Sequence, residues 1–220
     1  MAFTIVFEGI DGSGKSTQVK YLKAYLESLG YSVICTEWFK NKYVKKLLAK
    51  YSRSQWGNSM GGALMIASEF TMRYYNIINK LSDDSIVVFD RYIYTSFVRD
   101  SIRGVPESLL RELYDFVIKP DLIFYFDADP TLALKRKKMD KLTYFECGMD
   151  VCSNIKYADY NANRDYDKAC DSFIKFQQKV KDKYKTLPEY ITEFNVIKAE
   201  LSKNEINKII THTINLKLKE

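Results

Sequence analysis

The stretch FEGIDGSGKST, Phe7 to Thr17, constrains this chain more than any other. Gly9, Gly14, Lys15 and Ser16 meet the spacing G-x-x-x-x-G-K-[ST], and the flanks make the string specific. Phe3 to Phe7 is a short β-rich apolar run, and after the loop Val19, Leu22, Leu26 and Leu29 recur at helical spacing. Strand, glycine loop and helix in that order form a phosphate cradle: glycines let backbone N–H groups curl around the oxygens, and the helix presents its positive end. Gly9, Gly12 and Gly14 would serve the curl, with Ser13 and Thr17 in the same loop. Lys15 would reach the outer phosphates, and Ser16 would hold Mg²⁺.

The rest of the chain repeats the alternation. Gly30 closes the first helix, and YSVICT reads as a second strand. Amphipathic stretches follow at roughly 42 to 51 and 61 to 81. After the acidic turn Ser82-Asp83-Asp84, SIVVFD is a continuous apolar run suited to a strand buried on both faces. The pattern predicts a helix from Pro106 to Val117, a buried strand in LIFYFDAD, and a helix in PTLALKRKK opened by Pro130. Residues 139 to 163 are polar and without clear period, and read as a mobile lid. Phe173, Phe176, Val180 and Tyr184 recur as a helical core stripe, EFNVIKA supplies a fifth strand, and NEINKIITHTIN a terminal helix. The expectation is a three-layer α/β/α fold, a five-stranded parallel sheet covered on both faces. Residues 1 to 220 show no repeat or linker and read as one domain.

Composition narrows the chemistry. At 220 residues and 46% hydrophobic content the chain can bury a full core, which excludes disorder. Its single histidine, His212, lies in the lysine-flanked terminal helix, so the chemistry must run on carboxylates, lysines, arginines and metal. Cys35, Cys147, Cys152 and Cys170 fit neither C-x-x-C nor a zinc series and read as reduced thiols of a cytoplasmic protein. The run AFTIVF is too short for a secretory signal, and no segment has the length of a membrane span. A net charge of +6 suits a polyanionic ligand. The basic clusters KNKYVKK, KRKK and KFQQKVKDKYK read as solvated helix faces with no aromatic platform, which argues against nucleic acid.

A second site falls at FDRYIYTS, Phe89 to Ser96, at the C-terminal end of the third strand, where ligands bind in open parallel sheets. Asp90 and Arg91 there would place a carboxylate near the metal and a guanidinium on a phosphate. In isolation the same pair would read as a structural salt bridge.

With FEGIDGSGKST, FDRYIYTS, KPDLIFYFDADPTLALKR and the helix bearing Phe173, Phe176 and Tyr184, the chain resembles the thymidylate kinase family of nucleoside monophosphate kinases, a P-loop NTPase fold, from Phe3 to about Tyr184. The resemblance implies ATP- and Mg²⁺-dependent phosphorylation of deoxythymidine monophosphate, or of a related deoxynucleoside monophosphate, to the diphosphate. It also implies a homodimer. Asp11 would contact the acceptor 3′-hydroxyl, Asp90 would act through the metal, and Arg91 would sit between donor and acceptor phosphates. The acceptor is already an anion, so no strong base is needed. An arginine is expected over the γ-phosphate. Some members carry it in the phosphate loop, where this chain has Gly12; others carry it in the lid, and the candidates are Arg136 and Arg164.

The chain departs from the family around the acceptor. TEWFKN keeps Glu37, with Thr36 where an arginine would stand and Trp38 where a proline would. Phe39 would stack on a base and Lys40 or Lys42 replace the missing cation, or this is a plain loop leading into a helix. In ASEFTMR, Phe70 and Arg73 share a helical face, from which Arg73 would reach the acceptor phosphate. Ser96 and the charged Arg99 and Asp100 complete the expected acceptor pocket and are the candidates for altered substrate choice. Two other readings stay open: a deoxynucleoside kinase using Glu37 as its carboxylate, and a nucleotide-binding regulatory protein of the same fold without turnover.

Overall fold

The structure is a computed structural model that describes residues 2–54, 57–78, 81–82, 85–137, 142–187 and 194–219. Five parallel strands are laid out in the order β2-β3-β1-β4-β5. They are β1 (Phe3–Gly9), β2 (Ser32–Glu37), β3 (Ser85–Asp90), β4 (Leu122–Asp127) and β5 (Phe194–Lys198). The chain leaves β1 toward β2 and β3 on one side and returns to β4 and β5 on the other. A crevice therefore opens at the C-terminal ends of β1, β3 and β4, and both chemistry-bearing motifs end there.

Alternation along the strands sorts the core into two layers. Ile5 and Phe7 of β1, Ile86 and Val88 of β3, and Phe124 and Phe126 of β4 pack under α1 (Lys15–Ser28) and α10 (Lys203–Lys217). Val6, Val87, Phe89, Ile123 and Tyr125 face the other way, toward α3 (Ser59–Ile78), α4 (Ile93–Ile102) and α9 (Tyr166–Thr186). Glu8 follows Val6 onto this second face and is fully buried there, a consequence of period two that the apolar run conceals.

The expected strands hold to within two residues at each end. The two amphipathic stretches become α2 (Lys42–Arg53) and α3, while Asp83 and Asp84 of the acidic turn lie outside the described residues. Three expectations change. Helix α4 was absent from the pattern because every residue from Ile93 to Asp100 is buried, polar ones included, so no amphipathic period survives. The helix expected over Pro106 to Val117 is the shorter α5 (Glu107–Leu113). Beyond it Tyr114, Asp115 and Val117 each donate three residues back, tightening the chain into turns. The expected lid, of which 139–141 lie outside the described residues, contains α7 (Tyr144–Cys147), α8 (Met149–Cys152) and a 3₁₀ turn at Tyr157–Asp159. One-turn helices are too short to print a period. They pack on α9, burying Tyr144, Cys147 and Met149, so the described residues of this segment contribute to the second core. Between β4 and this segment runs α6 (Pro130–Arg136), capped by the Asp129 side chain with Pro130 at its first position.

Candidate active site

The loop between β1 and α1 is shaped by backbone that only glycine tolerates. Gly9 has φ +138, and a Cβ there would fall 2.6 Å from the Phe126 carbonyl oxygen. Gly12 has φ +81, and a Cβ would fall 2.5 Å from the carbonyl oxygen of Ala133 in α6. The Gly12 slot is thus closed to any side chain, an arginine included. Gly9 does not line the crevice; it lets β1 lie against β4, and its carbonyl accepts from Lys15 and Arg91.

Lys15 is buried, its ammonium donating to the carbonyls of Gly9 (3.1 Å) and Ile10 (2.7 Å) and to the Ser13 hydroxyl (3.2 Å). Burial and the charge of Arg91 pull its pKa down to about 7. An incoming phosphate dianion supplies the charge that the carbonyl dipoles only partly replace. Across the crevice Ser16 donates from its hydroxyl to a carboxylate oxygen of Asp90. These are hard oxygen donors, and among the described residues no group of three or more His, Cys, Asp or Glu side chains could cage a metal. That chemistry fits Mg²⁺, which keeps most of its shell as water and phosphate oxygens and takes one or two protein ligands.

Arg91 adopts φ +73, a left-handed conformation costing of order 1–3 kcal/mol for a residue with a side chain. The turn aims its guanidinium back over β1, where it donates to the Gly9 carbonyl (2.9 Å) and to Asp11 (2.5 Å). Arg99 from α4 takes the other Asp11 oxygen (2.6 Å), and its second amino group holds the Phe145 carbonyl (2.8 Å). Gln177 from α9 closes the knot, donating to Asp11 (3.0 Å) and to the Glu146 carbonyl (2.7 Å) while accepting from the Asp11 N–H (3.0 Å). Burial alone would raise the Asp11 carboxyl, but Arg99 and then Arg91 outweigh it and hold it well below the usual carboxylate range.

Beneath Arg91 lies Glu8, whose carboxylate accepts from the Tyr92 N–H (2.8 Å) and from the hydroxyls of Thr95 (2.8 Å) and Tyr184 (2.7 Å). Burial pushes this carboxyl up, against the opposing pull of Arg91 and the three donors.

Two cavities meet over this floor. One, of about 980 Å³, runs from Arg136, Ala199, Leu201 and Lys203 past the phosphate loop to Asp90, Arg91, Glu37 and Lys45. The other, of about 560 Å³, is lined by Ala63, Ile66, Asp100, Arg103, Tyr144 and Asp150. They share Trp38, Phe39, Leu48, Arg99, Phe145 and Tyr157.

Of the expected site residues, Asp11, Gly12, Ser13, Gly14, Lys15, Ser16, Thr17, Glu37, Phe39, Asp90, Arg91, Arg99 and Arg136 line the larger cavity, and Asp100 the smaller. Others are elsewhere. Phe70 is fully buried among Tyr74, Phe89, Tyr92 and Tyr114, where a base cannot stack on it. Arg73 uses four of its five N–H donors on Glu69, the Thr36 hydroxyl and the Trp38 carbonyl, which fastens α3 to the end of β2, and it lines neither cavity. Ser96 is buried and donates to Asp100 (2.5 Å). Lys40 is exposed and lines neither cavity; the cation at this wall is Lys45, one turn into α2, 3.9 Å from Glu37 and over the Phe39 ring. Arg164 lines neither cavity, with a side chain 67% exposed and paired with Asp165. Arg136 is tethered to the carbonyls of Ser13 (3.4 Å) and Ala199 (2.7 Å), at the end of the cavity away from Arg91.

Sequence reasoning missed Gln177, Glu8, Lys45 and the pair Lys137 and Glu146. Gln177 and Glu8 each interrupt an apolar stripe, and that interruption was the available signal.

A family model described as thymidylate kinase matches residues 7–210. The protein called probable thymidylate kinase 2 in Saccharolobus solfataricus is 31% identical over 196 residues, covering 88% of this chain and 86% of that protein. A probable thymidylate kinase of Thermococcus gammatolerans is 27% identical over 222 residues, with 96% and 94% covered. A thymidylate kinase of Caldicellulosiruptor saccharolyticus is 38% identical over 144 residues, with 61% and 69% covered.

Proposed function

Because the chain belongs to the thymidylate kinase family, we propose that it transfers the γ-phosphoryl of ATP to deoxythymidine monophosphate, giving ADP and the deoxynucleoside diphosphate. One observation carries this reading: a cavity with a phosphate loop meets a second cavity of nucleoside size, with Asp90, Arg91 and Asp11 lining the first and Arg99, the ion-pair partner of Asp11, lining both. The donor's base and ribose would lie between Arg136 and the Ala199–Leu201 turn, which puts its phosphates on the loop. The acceptor base would enter the smaller cavity between the Phe39 and Tyr157 walls, with its phosphate toward Lys45 and Arg91.

An acceptor phosphate oxygen attacks the γ-phosphorus while the bond to the β-bridging oxygen breaks. This calls for alignment and charge neutralisation more than for a base. Lys15 and Arg91 supply fixed positive charge to the equatorial oxygens. Mg²⁺, when bound, would be held by Ser16 and Asp90 and would neutralise donor phosphate charge. The Asp11 carboxylate, holding three donors, keeps about one of its four lone-pair positions for the acceptor 3′-hydroxyl.

The test is ADP release from Mg-ATP with each deoxy- and ribonucleoside monophosphate, run beside the free nucleosides. Turnover with deoxythymidine monophosphate is expected. Turnover only with a nucleoside would identify a nucleoside kinase, and ATP binding without consumption would identify a regulatory nucleotide-binding protein.

The chain also acts, in this reading, as a homodimer in the cytoplasm. Helix α3 exposes Leu64, Met72 and Tyr75, and Tyr75 stacks on the exposed Phe116 at 5.4 Å. A second copy laid on this stripe removes it from water. Tyr75→Glu should halve the mass measured by sedimentation; an unchanged mass would remove this face from consideration. The four cysteines are free thiols, in keeping with a reducing compartment. Among the described residues no helix is long and apolar enough to cross a membrane.

A further inference from the structure

The kinase reading leaves the γ-phosphoryl group without the flexible cation that its transfer requires. Lys15 sits in the loop, Arg91 and Arg99 are committed to Asp11, Arg136 is tied to two backbone carbonyls, and Arg164 is on the outer surface. The same wall carries another cation. Lys137 caps the C-terminus of α6 and lines the larger cavity, its ammonium 2.5 Å from the carboxylate of Glu146 in α7, which lines that cavity too.

Both partners are largely shielded, the lysine side chain 14% and the glutamate 28% exposed. Lys137 also acts electrostatically on Asp11, so its charge is felt at the donor–acceptor junction. Its ammonium also lies over the face of the Phe173 ring, 5.8 Å from the centroid. The carboxylate of Glu146 is held by no other described group, while its backbone is fixed: the N–H by Thr143 and the carbonyl by Gln177. A carboxylate beside an arriving polyphosphate is repelled by it, and a lysine beside it is attracted.

Resting on the kinase reading above, we infer that Lys137, at the C-terminus of α6, is a catalytic cation donating to an equatorial oxygen of the transferring γ-phosphoryl group, with Glu146 its counterion in the absence of nucleotide. The lysine keeps its proton throughout. The bond to the β-bridging oxygen breaks, the bond to the acceptor phosphate oxygen forms, and the ammonium stabilises charge that is greatest in the transition state.

The test compares wild type, Lys137→Met, Lys137→Arg and Glu146→Gln for kcat with deoxythymidine monophosphate, ATP dissociation constant and thermal midpoint. Methionine keeps an unbranched stem and removes the charge. Lys137→Met is expected to lose about 10²- to 10³-fold in kcat while ATP affinity stays within about threefold, the signature of an interaction made in the transition state. Lys137→Arg should recover most of the rate, and Glu146→Gln should tighten ATP by about threefold. Wild-type turnover beside undiminished kcat in Lys137→Met would overturn the assignment and leave the kinase reading intact. Equal loss in Lys137→Met and Glu146→Gln, with a lowered thermal midpoint in both, would also overturn it, because the pair would then be structural. No turnover by the wild type with any monophosphate would overturn both.

Discussion

Lys15→Met is expected to lower turnover by about 10³-fold or more, roughly 4 kcal/mol of transition-state stabilisation, while the protein unfolds at nearly the wild-type temperature. The first half follows from placement: the ammonium is the one cation enclosed by the loop itself, facing the curled backbone that receives the phosphates. The second half follows from two opposing costs. Burying the ammonium is unfavourable, as its pKa of about 7 records, and methionine removes that penalty while filling the same channel. Against this, the Ile10 carbonyl and Ser13 hydroxyl lose a donor, about 1 kcal/mol each, whereas the Gly9 carbonyl keeps Arg91. The net change in stability should stay within about 1–2 kcal/mol. Turnover and thermal unfolding measured on one preparation decide it. Wild-type turnover would defeat the phosphate-loop assignment, and joint loss of rate and fold would make Lys15 a structural residue.

The loop and sheet were legible because their signals are local. A parallel strand buried on both faces reads as a continuous apolar run, as SIVVFD and LIFYFD do, and the phosphate loop follows directly on β1. The acceptor side was less legible, since there the deciding fact is which way a helical face turns. Phe70 and Arg73 do share a face of α3, as their spacing requires, but that face meets the aromatic core and the end of β2. No periodicity distinguishes a face turned to a cavity from one turned to a core. Helix α4 failed for a related reason: Thr95, Ser96, Arg99 and Asp100 are buried because Glu8, Asp11 and one another supply their partners. Those partners stand some eighty residues away or on the next turn. The basic run at the end of α6 shows the limit of motif reading most clearly. Arg136 and Lys137 are neighbours in one basic run, yet one is tied to backbone and the other pairs directly with the carboxylate of Glu146.

Glu8→Ala is expected to cost about 3 kcal/mol, lowering the thermal midpoint by roughly 6 to 12 °C in a chain of this size. The substitution strands the Tyr92 N–H and one of the two hydroxyls of Thr95 and Tyr184 in a dry layer, since those hydroxyls, 3.2 Å apart, can donate to each other only once. It also removes negative charge beside Arg91, which Asp11 alone must then balance. Glu8→Gln is milder, since an amide can still accept from Tyr92 and donate to the hydroxyls, and it carries no titration. Burial raises the Glu8 carboxyl above its ordinary value, so the folded state binds a proton that the unfolded chain has released. Its stabilising contribution is therefore complete below about pH 4.5 and declines as pH rises through the raised value. Asp11 runs the other way: its contribution is present above the ordinary carboxylate range and lost as pH falls through its lowered value, so it stays constant in that window. The stability of wild type minus that of Glu8→Gln should accordingly shrink between about pH 5 and about pH 8. Denaturant titrations of both proteins at the two pH values measure the difference. A gap that stays level or widens would mean that Glu8 is ionised throughout, held down by Arg91 more strongly than burial lifts it.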